Sequence, residues 1–231
     1  MLTYTLEQSV AVVRMDDGKA NALSAEMIAA LVGALTRAEG EATAMVLAGR
    51  PDRFCAGFDL RVMMSGPDNA RTLLKAGSAL LLRLYGATLP LVVACTGHAL
   101  AGGALVVLTG DHRIGTAGAY RIGLNEVSIG LPVPVLAMEL ARDRLAPAEL
   151  VRATLLAQIY APDEALRAGY LDAVAPAEQV IPQAIEAAVR LGALGKPAFR
   201  ATKTRLRGAT LDHITRTLDS DLQMLMNPAG S

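Results

Sequence analysis

The sequence predicts an α/β fold in which helices pack against a largely parallel sheet. Short apolar runs alternate with longer stretches that repeat apolar residues at helical spacing, and this alternation continues to about residue 115. Hydrophobic residues form 52% of the chain and aromatic residues only 3%, so aliphatic side chains must fill the core. Right-handed crossovers join the strands of such sheets, and their ligands bind beyond the carboxyl ends of the strands.

The first half of the chain predicts alternating strands and helices. Residues 2–15 show the alternation and the β-branched runs of two short strands. Ser24 can cap a helix that Gly40 ends. The other predicted elements are a strand over 43–48, a loop over 49–59, helical segments over 60–64 and 69–85, a strand over 91–95 and a helix over 99–108.

The second half is predicted to be mostly helical. Pro162, followed by two acidic residues, favours a helix start. No linker rich in Gly, Ser or Pro separates the segments. The other predicted elements are short strands around Arg113 and Tyr120, a loop over 123–133, helical patterns to about 156, a strand over 171–175, a helix over 181–189 and a final helix over 197–226.

One window, from Leu84 to Gly110, contains no Asp, Glu, Lys or Arg and is long enough to cross a bilayer. Pro90 and the pair Gly102-Gly103 remove helix support, and His98 adds polarity that hydrocarbon cannot satisfy. The window therefore predicts a buried strand, a Gly-rich turn and a buried helix rather than a membrane span.

Charge and cysteine content exclude several classes of protein. Lys and Arg total 22 and Asp and Glu total 22, so the formal charge is zero and no basic face for nucleic acid or anionic membrane is indicated. The two cysteines, Cys55 and Cys95, cannot supply a disulfide framework. The N-terminal residues lack a basic leader and an apolar signal core. We therefore expect a cytoplasmic protein.

Motifs for several common chemistries do not occur in the sequence. There is no G-x-x-x-x-G-K or G-x-G-x-x-G run for a nucleotide phosphate and no G-x-S-x-G elbow for a serine nucleophile. His98, His112 and His213 lack metal-ligand spacing, so turn or surface positions are the expected explanation for them and no metal site is predicted.

Two glycine-containing turns remain as candidates for chemistry. Residues 53–60 and 97–103 each follow a predicted strand and lead into a helix, and Asp59 can cap the first of these helices. A helix N-terminus leaves N–H groups unpaired at the positive end of the dipole, which suits an anion or a developing oxyanion. Each turn taken alone also fits a purely structural role in packing a helix on a sheet.

A single acid has an unusual setting. Glu126 lies in the segment 123–130, whose other members are mostly small or apolar. A carboxylate there would be partly desolvated, and the raised pKa would suit a general base. An exposed loop acid is the alternative interpretation.

Together these segments resemble the crotonase superfamily, also called the enoyl-CoA hydratase/isomerase family, over residues 1 to about 210. The combination in this order is far more specific than any single segment. The similar segments are Asn21–Ser24 for the CoA loop, Phe54–Leu60 for the first oxyanion segment, Gly97–Arg113 for the second, and Ala201–Lys203 with Leu206-Arg207 for the late helix.

The resemblance implies a spiral of ββα units over residues 1–190 and a C-terminal helical trimerisation region over 191–231, in trimers or dimers of trimers. It also implies an acyl-CoA thioester as substrate and no separate cofactor, because coenzyme A is part of the substrate. The residues implied to bind coenzyme A are Ala20, Ala22, Ala56, Asp59, Leu60 and Lys203, and Arg53 is implied beside Lys203 near the phosphates.

The resemblance also assigns the oxyanion hole. The backbone N–H groups of Phe58 and Gly102 would hold the thioester carbonyl while the α-proton leaves. Loss of one such donor typically lowers the rate about 10²–10³-fold. Because the donor is backbone, a Phe is tolerable at 58 in place of the more usual Ala, although its ring narrows the acyl pocket.

The chain departs from the family's hydratases in its acids. Hydratases generally use two glutamates, but the first of these positions is Leu105 here and only the second, Glu126, is acidic. One carboxylate can carry a proton from C2 to C4 of the same acyl chain. The stretch Gly123–Glu126 also resembles that of mitochondrial-type Δ3,Δ2-enoyl-CoA isomerases, which rely on a single Glu. We therefore expect isomerisation of 3-enoyl-CoA to 2-enoyl-CoA, with Glu126 as proton shuttle.

Two alternatives stay open at this stage. Glu126 alone could hydrate 2-enoyl-CoA in fatty acid metabolism. The missing glutamate also suggests an acyl-CoA binder or assembly subunit without catalytic activity.

Overall fold

Two β-sheets form the framework of the structure, a computed structural model that describes residues 2–226. Its strands are β1 (Leu2–Glu7), β2 (Val10–Met15), β3 (Ala44–Ala48), β4 (Asp52–Cys55), β5 (Leu91–Cys95), β6 (Gly97–Leu100), β7 (His112–Thr116), β8 (Ile122–Gly123) and β9 (Ala173–Ala175). The larger sheet has the order β1-β2-β3-β5-β7-β9 and the smaller has β4-β6-β8. The β1–β2 pair is antiparallel and the other pairs are parallel, which confirms the predicted sheet type.

Helices cover both faces of the larger sheet. The prediction that Ser24 caps the first helix is confirmed, since its side chain accepts a hydrogen bond of 3.2 Å from Met27 N. The helices are α1 (Ala25–Glu41), α2 (Leu60–Met63), α3 (Pro67–Tyr85), α4 (Gly102–Thr109), α5 (Val135–Arg144), α6 (Leu150–Thr154), α7 (Pro162–Ala168), α8 (Ala177–Gly192) and α9 (Lys196–Met226), with 3₁₀ turns at Val127–Ile129 and Pro147–Glu149.

The central strands β3 and β5 are buried on both faces, as their continuous apolar sequences predict. Leu47 and Val93 point into a large apolar cluster with residues of α1, α3 and α4. Val46 and Val92 point the other way, into a smaller cluster with α8. The larger sheet is therefore the middle layer between two helical layers, and its parallel strands β2, β3, β5, β7 and β9 end at one common edge.

The smaller sheet corrects three predictions. The sequence predicts a loop at β4 and a turn at β6, and the strand that it predicts around Tyr120 lies instead at β8. These strands have only four, four and two residues, so no period is long enough to show in the sequence. Their pairing with one another decides their conformation. The helix predicted over 99–108 consequently begins only at Gly102.

Helix α9 confirms the predicted final helix and packs along α3 and α5. Helix α8 runs to Gly192, so the predicted boundary between 1–190 and 191–231 falls inside a helix, and residues 227–231 lie outside the described residues. A role of this C-terminal region in trimerisation stays a prediction. Within residues 2–226, no helix combines the length and the apolar composition needed to cross a bilayer.

A buried ionic cluster fastens α9 to the body of the protein. Asp111 accepts from Lys203 Nζ at 2.7 Å, and its other oxygen lies 2.9 Å from Arg207 Nη2. The same carboxylate accepts from Leu91 N at the start of β5, and Arg207 Nη1 donates to Tyr85 O at the end of α3. One carboxylate therefore joins α9, the larger sheet and α3.

Candidate active site

The first predicted turn leaves one backbone donor free. Leu23 N donates to Gly57 O at 2.8 Å, and Asp59 N donates to Leu23 O at 3.3 Å, so Leu23 pairs with both neighbours of Phe58. In a parallel bridge of this kind the intervening residue turns its own N–H to the opposite side. Among residues 2–226, no acceptor lies within hydrogen-bonding distance of Phe58 N.

The same turn starts α2 in the predicted way. Asp59 accepts from Arg61 N at 2.9 Å and so caps the helix, and Arg61 Nη2 lies 3.1 Å from its second oxygen. The Arg61 guanidinium holds the pKa of the Asp59 carboxyl below its usual range. Gly57 has φ +95°, a conformation in which an L side chain is strained.

The second turn presents another free donor at the start of α4. Ala101 has φ 49° and ψ −121°, a strained backbone conformation for a residue other than glycine. Its N–H is held by Gly123 O at 3.0 Å, and the chain then enters the helix at Gly102. Within the described chain, Gly102 N has no protein acceptor, as expected for a first helical residue.

The turns that carry the two free N–H groups approach each other closely at Gly57. A Cβ built on Gly57 would lie 3.3 Å from Gly102 N and 3.1 Å from Leu100 O. Only glycine permits this approach, so Gly57 brings the Phe58 amide next to the amide of Gly102. Two unpaired donors on neighbouring turns are suited to hold an oxyanion.

Glu126 lies three residues after Gly123, the last residue of β8, whose oxygen accepts from Ala101 N in the second turn. Its side chain is buried, with the residue only 9% exposed, and its Oε2 has no hydrogen-bond partner in the described part of the chain. Its backbone oxygen accepts from Ile129 N and Leu131 N at 3.0 Å, which fixes the loop. Burial raises the pKa of the Glu126 carboxyl. The expectation of a desolvated acid is confirmed, and the exposed-acid interpretation is wrong.

The place expected for a second acid is apolar. Leu105 lies one helical turn after Gly102 and is 4% exposed. Together with Phe58 and residues of α3, α5 and α9, it lines a small cavity. No carboxylate other than that of Asp221 lines this cavity in the described chain.

The ring of Phe58 is held between two glycines. A Cβ on Gly77, in the middle of α3, would collide with ring atoms Cε1 and Cζ. On the opposite edge, a Cβ on Gly102 would lie 3.1 Å from Cε2. The ring therefore occupies space that a methyl group at Gly77 would need, and it has little room to move aside.

The effect of Gly77→Ala on the free energy of unfolding should depend in sign on the residue at position 58. In the natural chain we expect a net loss of unfolding free energy, because overpacking costs about 1–3 kcal/mol. In a Phe58→Ala background the same change should add about 0.5–1 kcal/mol, the usual gain of Ala over Gly inside a helix. Urea unfolding of the four proteins measures this. An equal effect in both backgrounds would contradict the tight fit of the Phe58 ring against Gly77.

Two further cavities of about 480 Å³ each border the first turn, and Phe58 lines neither of them. Ala20 contributes to both, Ala56 to one, and Ala22 and Asp59 to the other. Leu60 is 67% exposed at the start of α2 and lines neither of them. Four of the six residues implied to bind coenzyme A therefore border one continuous region next to the first turn.

The prediction for Lys203 is wrong. Its ammonium is buried against Asp111 and Leu89 O, so it is not available to a phosphate. The sequence offered a signal for this, since Lys203 and Arg207 are four residues apart and share a helix face.

Three cations border one of these cavities, and two of them, Lys19 and Arg121, are not predicted from the sequence. Lys19, Arg53 and Arg121 line one of the two cavities, and no carboxylate of the described chain pairs with any of them. His98 joins them through Nδ1, which accepts from Arg121 N at 3.0 Å, and burial lowers its pKa. Arg121 comes beside Arg53 only through the pairing of the smaller sheet, which the sequence did not reveal.

Comparison with known proteins supports the resemblance over nearly the whole chain. The family model described as enoyl-CoA hydratase/isomerase matches residues 5–230. The human mitochondrial enoyl-CoA delta isomerase 1 is 35% identical over 219 residues, which cover 93% of this chain and 72% of the relative.

Two solved structures have the same fold. An enoyl-CoA hydratase/isomerase family protein from Pseudomonas syringae is 37% identical and has a TM-score of 0.94, with 97% of each chain covered. An enoyl-CoA hydratase from Mycobacterium ulcerans is 38% identical and has a TM-score of 0.90, with 99% of each chain covered. The chain therefore belongs to the enoyl-CoA hydratase/isomerase family and is an enzyme of the crotonase superfamily.

Proposed function

We propose that the enzyme moves the double bond of a 3-enoyl-CoA to the 2-position, with Glu126 as the single proton carrier. The observations that support this most directly are one buried, unpartnered carboxylate, two free amides on neighbouring turns, and Leu105 where a second acid would lie. The resemblance of Gly123–Glu126 to the isomerases supports the same choice.

Glu126 removes a proton from C2, and the electron pair of the C2–H bond moves toward the thioester carbonyl. The oxygen becomes negative and accepts hydrogen bonds from Phe58 N and Gly102 N, which have no other acceptor in the described chain. When the carbonyl re-forms, a double bond forms between C2 and C3. The pair of the former C3–C4 double bond takes the proton from Glu126 at C4, and the carboxylate returns to its starting state.

Hydration of 2-enoyl-CoA is the rival reaction, and it also needs a group that positions water at C3. Leu105 is apolar and buried where that group is expected, which favours isomerisation. The test is a spectroscopic comparison of 3-hexenoyl-CoA and 2-hexenoyl-CoA as substrates. We expect faster conversion of the 3-enoyl thioester. Hydration at an equal or greater rate would replace the proposal, and no deuterium entry at C2 or C4 would identify a binder without activity.

The rate should fall on the acid side at a higher pH than for an exposed glutamate. Glu126 acts as a base only when it is deprotonated, and burial raises its pKa. Activity is therefore lost as the pH drops through this raised value and is retained above it. The pH profile of kcat/KM for 3-hexenoyl-CoA measures this, and an acid limb at the pKa of an exposed carboxyl would contradict it.

We also propose that Lys19, Arg53 and Arg121 hold the phosphates of coenzyme A. These cations surround a cavity that Ala20 and Ala56 also line, and coenzyme A carries several negative charges. Binding of CoA alone should weaken with added salt, because the cations are exposed at the surface.

The resemblance further supports assembly as a homotrimer or a dimer of trimers. Val151, Leu155 and Leu156 are 57–66% exposed on and after α6, an apolar surface that a second copy of the chain could cover. Light scattering on the purified protein gives the number of subunits, and a monomer would contradict the proposal.

A further inference from the structure

A small, mostly apolar cavity of about 30 Å³ shares no lining residue with the two cavities that Ala20 lines. Phe58 and Leu105 form its inner wall, so it begins at the residues that carry or follow the two donors. Its remaining lining residues come from α3, from α5 and the segment before it, and from α9, which contributes Asp221 and Leu222. An acyl chain whose carbonyl is bound at the Phe58 amide therefore starts next to the Phe58 side chain, which lines this cavity.

The cavity is small because the Phe58 ring fills part of it. At about 30 Å³ it holds roughly one water-sized group. The ring cannot swing toward α3 or α4, because the backbones at Gly77 and Gly102 already lie against its two edges. Gly77 is the position in α3 that makes room for the ring.

The outer wall belongs to the same chain and is fixed to it. Asp221 of α9 is 8% exposed and accepts from Val135 N at the start of α5 at 2.8 Å. Leu222 beside it is 3% exposed. The end of α9 therefore forms a fixed part of the cavity wall.

We infer that Phe58 sets the length of acyl chain that the enzyme accepts and restricts it to short chains. This inference rests on the proposed function, because it takes the thioester carbonyl to be bound at the Phe58 amide. The donor is a backbone group, so the side chain at 58 is free to determine specificity without removing the oxyanion contact. Phe58 acts as a wedge against Gly77, and α9 closes the pocket beyond it.

Calorimetric binding of saturated thioesters tests the inference without turnover. The natural protein should bind hexanoyl-CoA at least as tightly as dodecanoyl-CoA. Phe58→Ala should raise the affinity for dodecanoyl-CoA relative to hexanoyl-CoA by about tenfold, the gain from burying roughly two further methylenes. Where activity is present, the ratio of kcat/KM for 3-dodecenoyl-CoA and 3-hexenoyl-CoA should shift in the same direction.

Leu222→Ala opens the cavity from α9 and should shift the same ratio. This variant provides the test if Phe58→Ala does not fold. Phe199→Ala is the matched control, because this Phe packs on Lys203 at the start of α9, outside the cavity. An unchanged ratio in folded Phe58→Ala and Leu222→Ala would overturn the inference and leave the proposed isomerisation intact. Failure of the natural protein to bind either thioester would instead overturn the proposed function, and with it the basis of the inference.

Discussion

Replacement of Glu126 by Gln should lower the isomerisation rate by about 10⁴-fold, the upper end for a single general acid or base. The expected loss is large because the same carboxylate both removes and returns the proton, and Leu105 offers no substitute. The amide of Gln has nearly the same shape but no basic oxygen. Initial rates with 3-hexenoyl-CoA and deuterium entry at C2 and C4 measure both halves of the transfer.

Binding should survive this change, which separates chemistry from affinity. The free amides of Phe58 and Gly102 remain, and burying a neutral amide instead of a carboxylate removes a desolvation penalty. Titration with hexanoyl-CoA should therefore give a similar Kd. The control is Glu178→Gln, an exposed change at the start of α8 that should leave the rate unaltered. If the rate of Glu126→Gln equals that of the natural protein, another group carries the proton.

The layered core could be predicted from the sequence because its signals are local and repeated. Strands β3 and β5 are continuous apolar runs, and α1 and α3 carry apolar residues at helical spacing. The smaller sheet gave no such signal. β4 starts with exposed Asp52 and Arg53, and its conformation depends on pairing with residues more than forty positions away in the chain.

The parts of the site that depend on neighbouring residues in the sequence can be predicted. The parts that depend on packing between distant segments cannot. Glu126 among apolar neighbours and the glycines at 57 and 102 can be read from the sequence. The Phe58 N–H lacks an acceptor because Leu23 pairs with the residues on both sides of Phe58. Gly77 is needed because the Phe58 ring, from a different segment of the chain, packs against it. Neither contact produces a periodic pattern in the sequence.

Lys203 illustrates the same limit for charges. A lysine in a late helix resembles a surface cation, but Lys203 lies on the buried face of α9 with Arg207. Their partner, Asp111, is the first charged residue after a long uncharged window, and such an acid at the edge of the core needs a buried cation. The ionic cluster is therefore structural, and its loss should have a large effect on stability.

Replacement of Asp111 by Asn should destabilise the protein by about 3–5 kcal/mol, because two buried cations lose their counter-charge. Lys203 and Arg207 are 7% and 3% exposed and both pair with this carboxylate. The expected decrease in Tm is roughly 10 °C for a chain of this size. The control is Asp219→Asn, which breaks an exposed pair between α9 and Lys75 of α3 and should leave Tm nearly unchanged.

A second change separates loss of charge balance from loss of shape. Burial already lowers the pKa of Lys203 to about 8, so this ammonium is the weaker of the two charges. Arg207 retains Tyr85 O and the Tyr85 ring, whose centroid is 4.1 Å from the guanidinium carbon. Lys203→Met added to Asp111→Asn should therefore recover part of the lost stability, since an apolar residue replaces the unpaired ion. A further loss in the double variant would mean that the lysine contributes through its hydrogen bond to Leu89 O rather than through its charge.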